Sequence, residues 1–472
     1  MSKSKTICIV GAGTAGALCS AIIAVKRPTY KVINIRSATI PTIQVGESTT
    51  PLFLKLLKEL GILEDFYKDT EAYPKHGVKF KDWFDNTFVA GWPIGGPYLA
   101  NFAFLYGLAN NKHLGSLDET VDEGKILYSP DKDSFHSITA LHIDAQETYS
   151  YILNKFKDKI TSIVGNVVKV NRSGNNITSI ILDNNEEIYA DEWIDCTGLK
   201  RLLINTDDFI ESPIPINSAV AGVITSEDRP KDTWTVSTAA TAGWIWLLSL
   251  KSRTGAGYLF HKDFISHEEA EKELQETIGY KINSFNRLSF TPGYLKNSKK
   301  GNTTAIGLSA GFVDALEATG LHVTGLQLNY WLDCEGDTDA YNKLWLNMFT
   351  DVEKYILFYY TTCVKQSKYW DSIVKLTDEE VYKKFEEILV NQDTLNHLTG
   401  FTNSIVLRLF ANRIKYNKNL FNFMDTKLDM DQLLKSAIIV DRLSKNYQPY
   451  SDELFIKWLN YTGSLHDTLL AR

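Results

Sequence analysis

Three glycines near the N-terminus have the spacing that phosphate-binding turns require. The segment "GAGTAG" places Gly11, Gly13 and Gly16 between an apolar run, "TICIV", and a helical run, "AGALCSAIIAV". In a strand-turn-helix unit, the first glycine allows the tight turn, the second lets the backbone approach a pyrophosphate, and the third permits close helix packing. A glycine turn without a ligand is the alternative, but the flanking strand and helix favour a dinucleotide.

The residue expected to bind the ribose departs from this pattern. An acidic residue usually ends the second strand, whereas "YKVINIR" ends in Arg36. An arginine there could contact a 2′-phosphate, which keeps an NADP-dependent reductase open as an alternative. The segment "DEWIDCTGLKR" favours FAD, because an apolar strand that ends in Asp195 and leads to Gly198 is typical of FAD proteins.

Two tryptophans, Trp244 and Trp246 in "TAGWIWLLSL", lie on the same side of a predicted strand. On their own they are core aromatics, as alternating aromatic residues of a strand often are.

The remaining chain predicts the elements that position these residues. Strands and helices are interleaved up to about Gly320, and the chain after it is mostly helical and rich in aromatic residues. We therefore predict an α/β fold: a glutathione-reductase-like, Rossmann-type FAD module interleaved with β-sheet at residues 1–325, and a mainly helical substrate region at residues 326–472.

Composition narrows the function further. The 57 acidic residues exceed the 50 basic ones, and no basic run is dense enough to follow a phosphate backbone, so nucleic acid is not an expected partner. The five cysteines lack metal-binding spacing, and we expect them reduced and mostly buried. Glycines break the only long apolar run, so we expect a cytoplasmic protein without a membrane partner.

Six segments together resemble the flavin-dependent halogenases of the tryptophan halogenase type, and they occur in that family's order. The segments are "GAGTAG", "VGESTTP", "KHGVKFKDW", "DCTGLKR", "WIWLLS" and "GLSAGFVDALEATG". The resemblance runs from the N-terminus to about Gly325, and the chain is somewhat shorter than typical members. Leu248 and Ser249 depart from it, because the family's "WxWxIP" signature has Ile and Pro at those positions.

The resemblance implies FAD, used as FADH2, together with a halide ion and O2. Because no second dinucleotide fingerprint is visible, it also implies a separate NAD(P)H-dependent flavin reductase. The expected FAD-binding residues are Gly11, Gly13, Ala15, Gly16, Arg36, Gly46, Glu47, Gly198, Gly307 and Gly311. The halide is expected at Thr319 and Gly320, where backbone N–H groups begin a helix.

The resemblance also assigns the catalytic groups. Lys75 matches the family lysine that hydrogen-bonds hypohalous acid or carries it as a haloamine. Lys79, in the same segment, is the alternative candidate for this role. Glu317 matches the acidic group that stabilises the cationic ring intermediate and accepts its proton. Ala315 and Ala318 replace the family's proline and serine, and neither change removes a reacting group.

By this resemblance, Trp244 and Trp246 shield the flavin, so that only a small halide reaches the oxygen activated there. The expected reaction is halogenation of an electron-rich aromatic molecule such as an indole, tryptophan or a phenol. Two alternatives stay open: an FAD-dependent hydroxylase, and a flavin-binding protein without catalysis. His142 and Asp144 also lie in a segment that resembles the family, but a histidine on an apolar face is more often a core residue, and we assign neither a role.

Overall fold

The computed structural model describes most of the chain between residues 4 and 377 and short stretches after it. The described residues are 4–39, 46–84, 87–91, 125–129, 134–135, 139–377, 379–380, 383, 434–435, 438, 447–449 and 451–460.

The described helices follow the predicted order. They are α1 (Thr14–Lys26), α2 (Pro51–Glu59), α3 (Leu63–Asp69), α4 (Ala145–Lys155), α5 (His267–Ile278), α6 (Thr319–Asp333), α7 (Thr338–Thr362), α8 (Lys368–Ser372) and α9 (Asp452–Leu459). Helix α5 begins with a capping box, in which Ser266 and Glu269 bind each other's backbone N–H groups. Helix α4 begins at the side chain of Asp144, which accepts a hydrogen bond from Glu147 N.

In the first half of the chain, nine of the described strands precede α4 in the sequence and five follow it. They are β1 (Thr6–Val10), β2 (Lys31–Arg36), β3 (Glu47–Ser48), β4 (Tyr73–Lys75), β5 (Gly77–Lys81), β6 (Phe88–Gly91), β7 (Lys125–Ser129), β8 (Ser134–Phe135), β9 (Ala140–Ile143), β10 (Ile160–Val164), β11 (Val167–Ser173), β12 (Asn176–Leu182), β13 (Glu187–Ile188) and β14 (Glu192–Asp195).

In the second half of the chain, the described strands occur in the sequence before and after α5, and all of them except the last come before α6. They are β15 (Phe209–Glu211), β16 (Ser218–Ile224), β17 (Trp234–Ala240), β18 (Gly243–Ser249), β19 (Thr254–Phe260), β20 (Asn286–Ser289), β21 (Gly293–Leu295), β22 (Lys299–Lys300), β23 (Thr303–Ala305), β24 (Gly311–Phe312) and β25 (Tyr447–Pro449).

A six-stranded sheet carries the glycine motif. Its order is β10-β2-β1-β14-β23-β22, and all neighbours are parallel except β22 and β23. Alternate residues of β1 enter different apolar clusters, with Ile7 and Ile9 on one face and Cys8 and Val10 on the other. Both faces are therefore buried, as expected for a parallel sheet. The chain reverses its direction of winding between β1 and β14, which is where such sheets bind ligands.

A second, seven-stranded sheet carries the tryptophans. Its order is β20-β16-β19-β18-β17-β5-β6, mostly antiparallel, with β5 parallel to β17. Small three-stranded sheets complete the fold, and one of them, β3-β9-β4, joins Glu47 and Ser48 to the strand that contains Lys75. Strands from distant parts of the chain thus alternate with helices, as predicted.

The helical region begins earlier than the predicted division. The boundary after residue 325 falls inside α6, which starts at Thr319, and α6 packs against α1 and α2. Residues 326–377 contain the rest of α6, α7 and α8, whereas most of residues 378–472 lies outside the described residues. The division into two regions stays a prediction. Within the described part of the chain, no helix is long and apolar enough to cross a bilayer.

The turn after β1 generates the first testable prediction. Gly11 has φ +143°, and a Cβ added there would lie 2.2 Å from the carbonyl oxygen of Cys196, the residue that follows β14. We expect Gly11→Ala to lower the free energy of unfolding by about 1–3 kcal/mol or more, because the backbone must move to admit a methyl group. Urea denaturation followed by circular dichroism measures this loss.

Gly13→Ala is the matched control. Gly13 has φ −91°, and no atom lies within 4 Å of a Cβ added to it. This substitution should change the free energy of unfolding by less than about 1 kcal/mol. Equal losses in the two variants would contradict the steric account of the turn.

Candidate active site

The carboxyl edge of the parallel sheet has the construction of a dinucleotide site. Gly16 lies so close to the turn that a Cβ on it would be 2.4 Å from the Gly11 carbonyl oxygen, so helix α1 starts directly beside β1. No acidic residue lies in the first turn of α1, and its N-terminal dipole can therefore attract an anion. The open space beside Gly13 and Gly198 lies at the same edge. These residues fit the pyrophosphate of FAD.

The segment 307–311 contains two further glycines, and each is glycine for a different reason. Gly307 has φ +74°, and a Cβ there would lie 3.0 Å from the Cβ of Ala15, so the segment packs on the glycine turn. Its N–H donates to the side chain of Gln327 on α6 at 2.9 Å. A Cβ on Gly311 would instead lie 2.6 Å from the Cβ of Tyr294. Gly311 therefore has a packing reason to be glycine, independent of any flavin.

The other predicted cofactor residues lie around the same edge. Arg36 is the last residue of β2, beside β10, at the position predicted for a ribose contact. Glu47 on β3 accepts a hydrogen bond from the hydroxyl of Thr14 on α1 at 2.6 Å, and burial raises the pKa of its carboxyl group. Gly46 precedes it with φ +89°, and a Cβ there would lie 2.5 Å from Leu248 Cδ1.

Lys75 is completely buried, with 0% of its surface exposed. It ends β4, opposite Ala140 of β9, and its Nζ donates a hydrogen bond to the backbone oxygen of Thr49 at 3.0 Å. Burial lowers the pKa of Lys75 to about 8, and the negative charge of Glu317 opposes this shift. The ammonium group and the carboxylate, distant in sequence, therefore interact in the folded protein.

Lys79 has a different environment. It is only partly buried on β5, and its Nζ lies 5.2 Å from the ring centroid of Trp234. Among the three lysines of "KHGVKFKDW", Lys75 is thus the one that is completely buried and whose pKa responds to the charge of Glu317.

Glu317 lies in a short 3-10 turn, Leu316–Ala318, immediately before α6. Its own φ is +60° and that of Ala318 is +58°, so two consecutive residues other than glycine are left-handed. Its Oε1 accepts a hydrogen bond from the Tyr359 hydroxyl at 2.8 Å. Burial raises the pKa of Glu317, whereas Lys75 and the Tyr359 hydrogen bond act to lower it.

The two tryptophans are next to each other but are held differently. Their ring centroids are 5.9 Å apart. Trp244 is buried and donates from Nε1 to the carboxylate of Asp314, at 3.2 Å from Oδ1. Trp246 is partly exposed and covers Gly257, where a Cβ would lie 2.1 Å from the indole ring. A glycine on β19 therefore makes room for the second indole.

The predicted halide residues begin α6. Thr319 is buried, and its hydroxyl donates to the Asp314 backbone oxygen at 3.1 Å. Gly320 is exposed, and no atom lies within 4 Å of a Cβ placed on it. The arrangement gives a helix start with open space beside it, and the halide role of these residues stays a prediction.

The residues that depart from the family signature are accommodated in the interior. Leu248 is buried against Gly46, and Ser249 donates from its hydroxyl to Pro230 O at 3.2 Å. His142 is also buried, and its ring nitrogens lie 2.8 Å from Thr235 Oγ1 and 3.2 Å from Ser249 O. Burial, with the nearby Lys75 charge, holds the pKa of His142 well below its usual range. His142 is therefore a neutral core residue.

Sequence analysis missed Asp314, Tyr359 and Tyr360. Asp314 accepts hydrogen bonds from Trp244, from the Tyr360 hydroxyl and from Leu316 N, and burial raises its pKa to about 6. Asp314 lies in the segment that contains Glu317, three residues earlier, and the tyrosines lie in the aromatic patch "FYYTTC". The signal available for Tyr359 was its spacing of four residues from Tyr355, which places both on one face of a predicted helix.

Comparison with known proteins decides the family. The family model described as "Tryptophan halogenase" matches residues 6–425. The chain belongs to the tryptophan halogenase family.

Relatives within this family agree over most of the chain. The tryptophan 6-halogenase SttH of Streptomyces toxytricini is 27% identical over 418 residues, which cover 77% of this chain and 80% of that protein. The tryptophan 7-halogenase RebH of Lentzea aerocolonigenes is 28% identical over 361 residues, covering 68% of each protein. The chain is thus similar to enzymes that are named for different positions of the indole ring.

Solved structures confirm the fold. The crystal structure of SttH superposes with a TM-score of 0.80 at 22% identity and covers 99% of both chains. A flavin-dependent halogenase from Xanthomonas campestris gives a TM-score of 0.81 at 20% identity and covers 96% of this chain and 98% of its own. The predicted α/β fold with a Rossmann-type FAD module is confirmed.

Membership also confirms the predicted enzyme class and cofactors. The tryptophan halogenase family consists of flavin-dependent oxidoreductases that use FADH2 and halide. The roles of individual residues, Lys75 and Glu317 included, stay predictions and are taken up below.

Substitution of Asp314 tests how much its hydrogen bonds stabilise the fold. Asp314→Ala should lower the free energy of unfolding by about 3 kcal/mol or more, because it leaves the buried donors of Trp244, Tyr360 and Leu316 without their acceptor. Urea denaturation followed by tryptophan fluorescence measures the loss.

Asp314→Asn should cost less, because it keeps one acceptor oxygen. Glu227→Ala, at an exposed loop position, is the control and should change stability by less than about 0.5 kcal/mol. If Asp314→Ala were as stable as the control, the hydrogen bonds to Asp314 would not hold Trp244 in place.

Proposed function

We propose that the chain halogenates an electron-rich aromatic small molecule of the indole, tryptophan or phenol type. A separate NAD(P)H-dependent reductase would supply FADH2, and O2 and a halide ion would be the other reactants. The named activities of SttH and RebH on tryptophan support this substrate class. We also propose that the protein acts in the cytoplasm.

One observation carries the proposal: a lysine and a glutamate from distant parts of the chain are both buried in a fold that has a flavin-type nucleotide edge, and the charge of each affects the pKa of the other. Ionisable side chains are rarely buried completely without a partner, and perturbed pKa values cluster at functional sites. A protein that only bound flavin would have no need of this costly arrangement.

FAD would be held at the carboxyl edge of the parallel sheet. We assign its pyrophosphate to the turn that contains Gly11, Gly13 and Gly16 and to the N-terminus of α1. The other residues proposed to contact FAD are Ala15, Arg36, Gly46, Glu47, Gly198, Gly307 and Gly311. When bound and reduced, this cofactor supplies with O2 and halide the hypohalous acid that reacts with the substrate.

Lys75 would direct the hypohalous acid. As an ammonium group it donates a hydrogen bond to the hydroxyl oxygen, so that the halogen becomes the electrophilic end. The aromatic carbon forms a bond to the halogen, the oxygen–halogen bond breaks, and the Lys75 proton goes to the departing hydroxide to give water. The Thr49 carbonyl fixes the ammonium group while this occurs.

Glu317 would complete the substitution. Its carboxylate stabilises the cationic ring and removes the proton from the halogenated carbon, and the electron pair of that C–H bond restores the aromatic ring. Proton transfer from Glu317 to neutral Lys75 then resets both groups. The balance is one aromatic molecule and one hypohalous acid giving a halogenated product and water.

The tryptophans and the start of α6 would serve the halide. Trp244 and Trp246 form a wall that excludes an organic substrate from the flavin, so the activated oxygen reaches only a small anion. We assign the halide to Thr319 and Gly320, because backbone N–H groups at a helix start bind anions. The wall favours halogenation over hydroxylation.

The main test incubates the protein with FAD, a generic flavin reductase, NADH and each halide against a panel of indoles and phenols. Mass spectrometry detects halogen isotope patterns. We expect halogenated product from the wild-type protein, and we expect Lys75→Ala to reduce it at least about 100-fold while flavin oxidation continues.

Lys79→Ala is the matched control, because Lys79 belongs to the same segment but contacts Trp234. It should keep most of the activity. Hydroxylated product from the wild type would identify a hydroxylase, and bound flavin without product would identify a protein that has lost catalysis. Full activity of Lys75→Ala would remove Lys75 from the mechanism.

The pH dependence distinguishes the two roles open to Lys75. The pKa of Lys75 is lowered to about 8, so the amine is protonated below that pH and neutral above it. Because we assign catalysis to the ammonium form, the product-forming rate should fall as pH rises through about 8. The rate of flavin oxidation, measured in parallel, should not show this decline, and a product rate that rises through pH 8 would favour a haloamine.

A further inference from the structure

Helix α7 brings two tyrosine hydroxyls to Glu317. The Tyr359 hydroxyl donates to Glu317 Oε1 at 2.8 Å, and the Tyr355 and Tyr359 hydroxyl oxygens are 3.0 Å apart. The two tyrosines are one helical turn apart, so they lie on the same face of α7. All three side chains are buried. A line of polar groups therefore runs from the helix to the carboxylate within an otherwise aromatic interior.

The direction of these hydrogen bonds follows from the number of protons. A tyrosine hydroxyl has one proton to donate. Since Tyr359 donates its proton to Glu317, Tyr355 must donate to the Tyr359 oxygen. Both O–H dipoles then point toward the carboxylate, and such aligned bonds strengthen one another. The arrangement favours the ionised form of Glu317.

The groups around Glu317 show how the tyrosine hydrogen bonds add to the other effects on its ionisation. Lys75 on β4 is the cation that interacts with it, and on α7 the facing titratable groups are Tyr355 and Tyr359. Burial and the Glu317 charge hold the pKa values of both tyrosines well above their usual range, so they stay neutral donors. Asp314, in the same turn, is bound by Trp244 and Tyr360 instead.

We propose that Tyr359, supported by Tyr355, is a positioning residue that keeps the Glu317 carboxylate oriented and ionised for proton removal from the substrate ring. The inference rests on the proposed function, in which Glu317 is the base. Because Tyr359 binds Oε1, we assign the acceptance of the ring proton to Oε2. The tyrosines themselves touch neither substrate nor reacting atoms in this role.

Tyr359→Phe separates the hydroxyl from the ring. The Tyr359 ring stacks on Phe80, with centroids 5.0 Å apart, and meets Trp83 edge-on at 6.0 Å. Phenylalanine retains both contacts and removes only the hydrogen bonds. The variant should therefore fold like the wild type.

The expected result has two parts. Halogenation by Tyr359→Phe should be about tenfold slower at neutral pH, since a hydrogen bond to a buried charged group is lost. Without this bond the pKa of Glu317 rises, and a base is inactivated by protonation, so the acid limb of the pH–rate profile should move to higher pH. Flavin oxidation should be unchanged, and Tyr355→Phe should show a smaller effect in the same direction.

Tyr369→Phe is the matched control. Tyr369 is a buried tyrosine next to Trp370, and its hydroxyl has no hydrogen-bond partner within the described part of the chain. Its rate and acid limb should equal those of the wild type. If both variants lost activity equally, with the acid limb unmoved, the effect would be one of packing and the proposal would be overturned.

A readout that needs no turnover separates this inference from the proposed function. Carbon-13 NMR of protein labelled at the glutamate carboxyl carbon, with the signal assigned by Glu317→Gln, measures the pKa of Glu317 directly. An increase in Tyr359→Phe but not in Tyr369→Phe supports the positioning role even for a wild type that does not halogenate. An unchanged pKa in Tyr359→Phe would overturn it, whatever the assay shows.

Discussion

The interior of this protein contains a lysine ammonium group from which water is excluded. Removing such a charge from water costs several kcal/mol even after the surroundings relax, and the cost has to be offset locally. The structure offsets it in two ways: the Thr49 carbonyl accepts a hydrogen bond from Lys75, and Glu317 provides the opposite charge. Much of the nearby architecture holds these two groups in position.

The small sheet β3-β9-β4 provides the first of them. Thr49 exchanges hydrogen bonds with Leu141 of β9, through its backbone N–H and its hydroxyl group, so its own carbonyl has a fixed direction. Lys75 is on β4, which pairs with the other edge of β9. A lysine on a loop would lose this orientation. Its burial therefore depends on a sheet assembled from three separate parts of the chain.

The turn before α6 provides the second group at an energetic cost. Left-handed backbone costs roughly 1–2 kcal/mol for a residue other than glycine, and Glu317 and Ala318 both adopt it. Two hydrogen bonds compensate: Asp314 accepts from Leu316 N within the same segment, and Tyr359 of α7 donates to Glu317. Strain of this kind persists where surrounding contacts determine the conformation, and it is concentrated at functional sites. The backbone thereby places the carboxylate where the Tyr359 hydroxyl binds it.

Sequence reasoning predicted the elements of this site better than its connections. The glycine spacing at Gly11 and the family resemblance at Lys75 and Glu317 depend on short segments, and a sequence displays such segments directly. The links to Tyr359 and from Trp244 to Asp314 join residues that are distant in the chain. Tertiary packing alone brings these residues together, and aromatic composition does not specify a partner. Gly311 was predicted from the sequence as a flavin contact, but its close packing on Tyr294 could not be predicted, because it too joins distant residues.

These connections link Glu317 and Trp244, the residues to which we assign proton removal and flavin shielding. Tyr359 and Tyr360 are consecutive residues of α7, and they bind the two acids of a single turn, Glu317 and Asp314. Asp314 in turn holds the indole of Trp244. A shift of α7 would therefore move Glu317 and the indole of Trp244 together.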